Sequence, residues 1–111
     1  MPTYNPVSLD STIPTFDNNG IAYFTLTVTL QNTPPPGGVS VMLYSNPADL
    51  NLSNPYTFTS ATQQISLSTT SAITQQTVVK ITVNSDGVNM CRAVPIYPPP
   101  QTSPSGSNVP C

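Results

Sequence analysis

"GIAYFTLTVTLQNTPPPGGVSVMLYSN", residues 20–46, holds two runs that alternate apolar and polar, separated by three prolines and two glycines. In the first run Ala22, Phe24, Leu26, Val28 and Leu30 share one side, and Tyr23, Thr25, Thr27 and Thr29 share the other. Successive side chains of a strand point to opposite faces, so this run predicts a half-buried strand with a hydroxyl-rich outer face. Val39, Val41 and Leu43 repeat the pattern after the connector. Prolines cannot donate to a ladder, so "QNTPPPGG" interrupts pairing and Gly37-Gly38 turn the chain.

The same reading extends outward. "DNNG" before the first run is a turn signal. "NPVSL", "ADLNLS", "YTFTS" around Phe58, and "QQISLSTT" with Ile65 and Leu67 on one face are shorter strand candidates. "QTVVKITVN" is a second strong strand, with Val79, Ile81 and Val83 facing one way. "SDG" at 85–87 predicts a tight hairpin. "VNMCRAVPIY" then returns with Val88, Met90, Arg92 and Val94 on one face and Asn89, Cys91 and Ala93 on the other, which leaves Cys91 outward if the first set faces the core. About seven closely spaced antiparallel strands and no helical periodicity predict an all-β fold, a β-sandwich. After Tyr97, "PPPQTSPSGSNVPC" has little to bury except Val109 and predicts an extended, Pro-rich C-terminal arm. The expected organisation is a segment 1–19 with a first strand, a sandwich core 20–97 and an arm 98–111.

Composition narrows the function. The 111 residues include two basic and four acidic ones, and charged residues are 5% of the chain against about 25% in an ordinary domain. Lys80 and Arg92 are the two cations, so there is no basic footprint for nucleic acid. No run approaches the about 20 apolar residues of a membrane helix. The opening "MPTYNPVSLDSTIPT" does not read as a secretory signal, so with Met1 taken as native the expectation is synthesis in the cytosol. A net charge of −2 leaves weak repulsion between copies, which permits close packing on a surface. The plainer reading of the same skin is a Thr/Ser exterior with no further role.

Catalytic chemistry finds few parts. Histidine and glutamate are absent, so no Ser-His-Asp triad exists. Asp10, Asp17, Asp49 and Asp86 are far apart in sequence, and Asp17 and Asp86 suit turns. The expectation is no enzyme, no catalytic, cofactor or metal residues, and no cofactor. "DNNG" lacks the oxygen spacing of a calcium loop and reads as an Asx turn. "NLS" at Asn51 matches a glycosylation sequon, a weak three-residue pattern. Cys91 and Cys111 are too few for zinc. Three states compete for them: two reduced thiols, placed first; an intrachain disulfide closing roughly 20 residues, worth about 3 kcal/mol; and a bond from Cys111 to a neighbouring copy. Phe24 and Phe58 read as core, while Tyr4, Tyr23, Tyr44, Tyr56 and Tyr97 fall at outward or end positions.

"FTLTVTLQNTPPPGGVSVMLYSNPADL" (24–50) resembles the bacterial immunoglobulin-like (Big-type) repeats of surface and adhesin proteins: a Thr/Val strand, a Pro-rich connector, Gly-Gly-Val, a second strand and an Asn-Pro step. "TSATQQISLSTTSAITQQTVVKITVNSDGV" (59–88) is similar to the second half of those repeats. The resemblance covers roughly residues 20–95 and implies an immunoglobulin-like β-sandwich. The chain departs from that pattern in starting with Met and carrying the Pro-rich tail, and the expectation is that it stands alone. In those features it resembles free-standing tailed-phage capsid decoration or cement proteins. That implies a structural virion protein, made in the host cytoplasm and placed on the virion surface. Its partners would be the major capsid protein or another virion protein, with self-association on the lattice. Pro98, Pro99, Pro100, Val109 and Pro110 would then be the partner-contact arm. The alternative is an extracellular adhesin module with a carbohydrate or protein ligand.

Overall fold

A computed structural model describes residues 2–111. Among them run nine strands: β1 (Pro6–Ser11), β2 (Thr15–Phe16), β3 (Ala22–Leu30), β4 (Val39–Asn46), β5 (Tyr56–Phe58), β6 (Thr62–Ser68), β7 (Thr77–Ser85), β8 (Val88–Ile96) and β9 (Ser107–Val109). All pairings are antiparallel. In the four-stranded sheet β3 pairs with β1 and β2 on one side and β6 on the other. The second sheet has the order β5-β4-β7-β8-β9.

The buried faces follow the alternation in the sequence. Ala22, Phe24, Leu26, Val28 and Leu30 of β3 are buried, as are Val41 and Leu43 of β4, Phe58 of β5, Ile65 and Leu67 of β6, and Val79, Ile81 and Val83 of β7. These residues, from both sheets, belong to one core cluster. The shortest dimension of the molecule, 18 Å, suits two layers packed about 10 Å apart with their outer side chains. The arrangement is consistent with a β-sandwich.

Local chemistry sets the details. The β7–β8 hairpin turns through Asp86 and Gly87, at φ 55° and 78°. Two successive positive φ values match the twist of the flanking strands, and Asp and Gly tolerate them. β1 carries a bulge between Pro6 and Ser8. The inserted Val7 is pushed outward, so Pro6 and Leu9, three apart, are the buried residues of the strand. Period two alone would pair Val7 with Leu9. "ADLNLS" is not a strand; its Leu50 makes a single bridge to Thr69. The amide of Asn51 donates to Ser68 O at 3.0 Å, and its side-chain oxygen accepts from Ser68 N at 2.8 Å, closing one end of the β6 edge.

The C-terminal segment, expected as an extended Pro-rich arm, lies back along the second sheet. Residues 98–101 turn, with Gln101 N donating to Pro98 O at 3.1 Å. Ser103 is buried, its hydroxyl accepting from Tyr97 N at 2.8 Å. Residues 107–109 then add to β8 as β9, with Cys91 opposite Val109 and Ala93 opposite Ser107. The segment lies against the sheet because the β8 edge beside it offers backbone partners and Gly106 lets it approach.

Candidate functional site

The four aspartates lie on different elements. Asp86 sits in the β7–β8 turn and accepts from Tyr4 N at 3.0 Å. Asp49 precedes the Leu50 bridge, its backbone carbonyl accepting from Thr70 N at 3.1 Å. Asp10 lies on β1, 3.5 Å from Arg92 Nη1. Among the described residues no three His, Cys, Asp or Glu side chains come together as a metal-ligand group.

Asp17 forms the expected Asx turn. Its Oδ1 accepts from Asn19 N at 2.8 Å and from Ile21 N at 3.0 Å. The Tyr23 hydroxyl donates to Oδ2 at 3.0 Å. Desolvation pushes the Asp17 carboxyl up, but the donors Ile21, Asn19, Tyr23 and Gly20 together hold it below its ordinary value. Donation to Asp17 and the nearby negative charge push the Tyr23 hydroxyl up. Beside this pair an open groove of about 400 Å³ runs past Thr12, Ile13, Thr15, Tyr23, Thr25 and Ser66. It arises where residues 12–14 separate β1 from β2, leaving β3 partly uncovered. Thr12 partly fills the break, its hydroxyl accepting from Thr25 N at 2.8 Å. Ile13 and Tyr23 are 52% and 46% exposed. Among the other tyrosines, Tyr44 is exposed on β4, while Tyr4, Tyr56 and Tyr97 are half-buried.

A second constellation lies where β8 meets β9. Cys91 and Cys111 are joined by a disulfide, their Cα atoms 5.5 Å apart. This replaces the reduced state placed first from sequence. Cys91 does point away from the core, as its alternation implies, and is absent from the core cluster. Even so it is only 2% exposed. Its Sγ lies 3.1 Å from Thr82 Oγ1, which donates, since a disulfide sulfur carries no proton. Of the proposed arm residues, Pro98 and Val109 are half-buried and Pro99, Pro100 and Pro110 exposed.

Arg92 organises this corner. Its side chain is 12% exposed. Nη1 donates to Leu9 O at 3.0 Å and Asn108 Oδ1 at 3.3 Å, and Nη2 donates to Gly106 O at 2.9 Å. One guanidinium thus ties β1 of the first sheet to β9 of the second, which five fixed donors permit and a lysine would not. Its Nε is buried without a partner. A Cβ at Gly106 would collide with the carbonyl oxygen of Ala93, so glycine is what lets the segment lie so close to β8. Sequence reading did not single out Arg92 or Gly106 as partners. A signal for Arg92 existed: a charged residue alternating with Met90 and Val94 on an apolar face must find buried acceptors.

Comparison with protein-family models, with curated proteins and with solved structures returned no match to this chain.

Proposed function

We propose that this chain is an immunoglobulin-like structural module that decorates a viral capsid lattice in many copies and reinforces it. The observation that carries this reading is the run of uncharged side chains on the outer face of the β3–β6 pair, with Asp10 beside Thr27 and Asp17 at Tyr23 as the charges at its margin. Tyr23, Thr25, Thr27 and Thr29 stand opposite Ser68, Ser66, Gln64 and Thr62, with no charge among them. Such a face has little repulsion to overcome when copies or shell subunits come close. The strand order supports the immunoglobulin-like assignment: β1/β2-β3-β6 against β5-β4-β7-β8 groups the strands as such sandwiches do. With residues 98–111 folded back, contact with the shell falls to the outer faces and to the turn at Pro98, Pro99 and Pro100.

The experiment is quantitative peptide mass spectrometry on density-purified virus particles and on envelope fractions of the source culture. A fixed, high ratio to the major shell protein is the expected result and supplies the copy number. Peptides confined to the envelope fraction, within a longer polypeptide, would replace this reading with that of an adhesin module. One observation favours that second reading: Tyr23 is exposed beside a hydroxyl-lined groove with its own hydroxyl held by Asp17, an arrangement on which a sugar ring can stack. Clear binding on a glycan array, lost in Tyr23→Ala, would support it.

A further inference from the structure

β9 is a strand with little apolar burial to hold it. Ser107 and Asn108 are exposed and Val109 is half-buried. Ordering a chain segment costs conformational entropy at every residue. What offsets that cost here is local and polar: the Arg92 bonds to Gly106 and Asn108, the Ser103 bond to Tyr97, a bond of 2.7 Å from Gln76 to Gln101, and the disulfide. Without β9, residues 91–93 of β8 would present an unpaired edge, and such edges take up other strands. The edge is selective, because the close approach at Gly106 admits no side chain there. The best fit is therefore a strand with a glycine just before it, as residues 106–109 have. A second copy supplies that strand, and with a net charge of −2 there is little to keep copies apart.

We propose that β9 is a redox-latched strand: with Cys91–Cys111 closed it covers its own β8, and with that bond reduced the same edge accepts β9 of a second copy. The reductant is a dithiol. Its thiolate attacks Sγ of Cys111, whose residue is exposed while Cys91 is buried. A mixed disulfide forms and Cys91 leaves as a thiolate that takes up a proton. The second thiol of the reductant then attacks the mixed bond, giving a cyclic disulfide and the Cys111 thiol. Two electrons and two protons pass from the dithiol to the protein. Reoxidation by a small-molecule disulfide, which takes up the two electrons and two protons and is itself reduced to two thiols, forms Cys91–Cys111 bonds between copies when β9 has been exchanged. This inference does not depend on the capsid reading.

The test uses the full chain, isotopically heavy and light, mixed in equal amounts, reduced with dithiothreitol and reoxidised at low and at high concentration. Trypsin, cutting after Lys80 and Arg92, then frees residues 81–92 joined to 93–111. At high concentration heavy–light pairs should approach about half of the joined peptides and fall away on dilution. In the reduced protein at low concentration, amide exchange across 107–109 should rise by at least about tenfold while β3 and β7 keep their protection. Only heavy–heavy and light–light pairs at both concentrations would overturn the exchange. So would Cys111–Cys111 bonds in place of Cys91–Cys111. Protection of 107–109 that survives reduction, or is lost together with that of β3 and β7, would overturn the latch.

Discussion

β3 and β9 are both strands pairing antiparallel with a neighbour, but they are held by different forces. β3 runs nine residues and buries five apolar side chains between the sheets. β9 runs three residues and fully buries none. Removing β3 from water-free packing would cost the molecule its core. Removing β9 would expose an edge and leave the core in place. A strand can thus be specified by its own side chains, or by what its neighbours offer to a backbone that happens to fit.

The largest effect that sharpens this contrast is truncation in β3. Leu26→Ala, at a fully buried position, should lower unfolding free energy in urea by about 2–5 kcal/mol. The comparable truncation in β9, Val109→Ala, should change it by less than about 0.5 kcal/mol. Equal losses would erase the distinction.

Arg92→Met should come next. It leaves the carbonyls of Leu9 and Gly106 without their donors, a loss of about 1–3 kcal/mol by the same measurement. Amide exchange in β9 should quicken even with the disulfide closed.

A smaller effect is expected for Cys111→Ser. Closing a loop of this length adds about 3 kcal/mol only when the ends would stay docked without the bond. If β9 is released instead, the folded state regains entropy as the unfolded state does, and global unfolding should shift by less than about 1 kcal/mol. A loss near the full loop-closure value would show that the tail is held without its latch.

The smallest effect concerns the turn entering β3. The folded Asp17 carboxyl sits below its ordinary value of 3.8, so its contribution is present above that pH and is lost as pH falls through the folded value. The Tyr23 hydroxyl sits above its ordinary 10.0, so its contribution is present below that pH and is lost as pH rises through the folded value. Asp17→Asn should flatten both limbs of a thermal-melting profile against pH. A profile identical to that of the parent chain would mean that the pair contributes nothing measurable.

Particular residues show how far the sequence could be read. The buried sets of β3, β6 and β7 follow from period two, since each strand buries one face and keeps the other wet. The turns at 17–20 and 86–87 follow from Asp, Asn and Gly chemistry. Val7 defeated the same rule because a bulge adds a residue without leaving a mark in composition. Leu50 and Leu52 alternate like a strand, yet the pairing beside them is limited to a bridge at Thr69. Of the candidate site, the Cys91–Cys111 pair was visible only as one of three states. Arg92 was visible as a charge on an apolar face, but its acceptors on Leu9, Gly106 and Asn108 were not.

By itself the sequence determined the all-β class, the inward faces of β3, β6 and β7 and the tight turns, because these depend on neighbours within a few residues. Tertiary structure alone decided that residues 98–111 fold back and pair at 107–109 as a strand, that Cys91 meets Cys111, and that one guanidinium spans both sheets. Those outcomes depend on groups as far apart as Leu9 and Arg92, or Cys91 and Cys111, meeting in space, and no local pattern encodes such a distance.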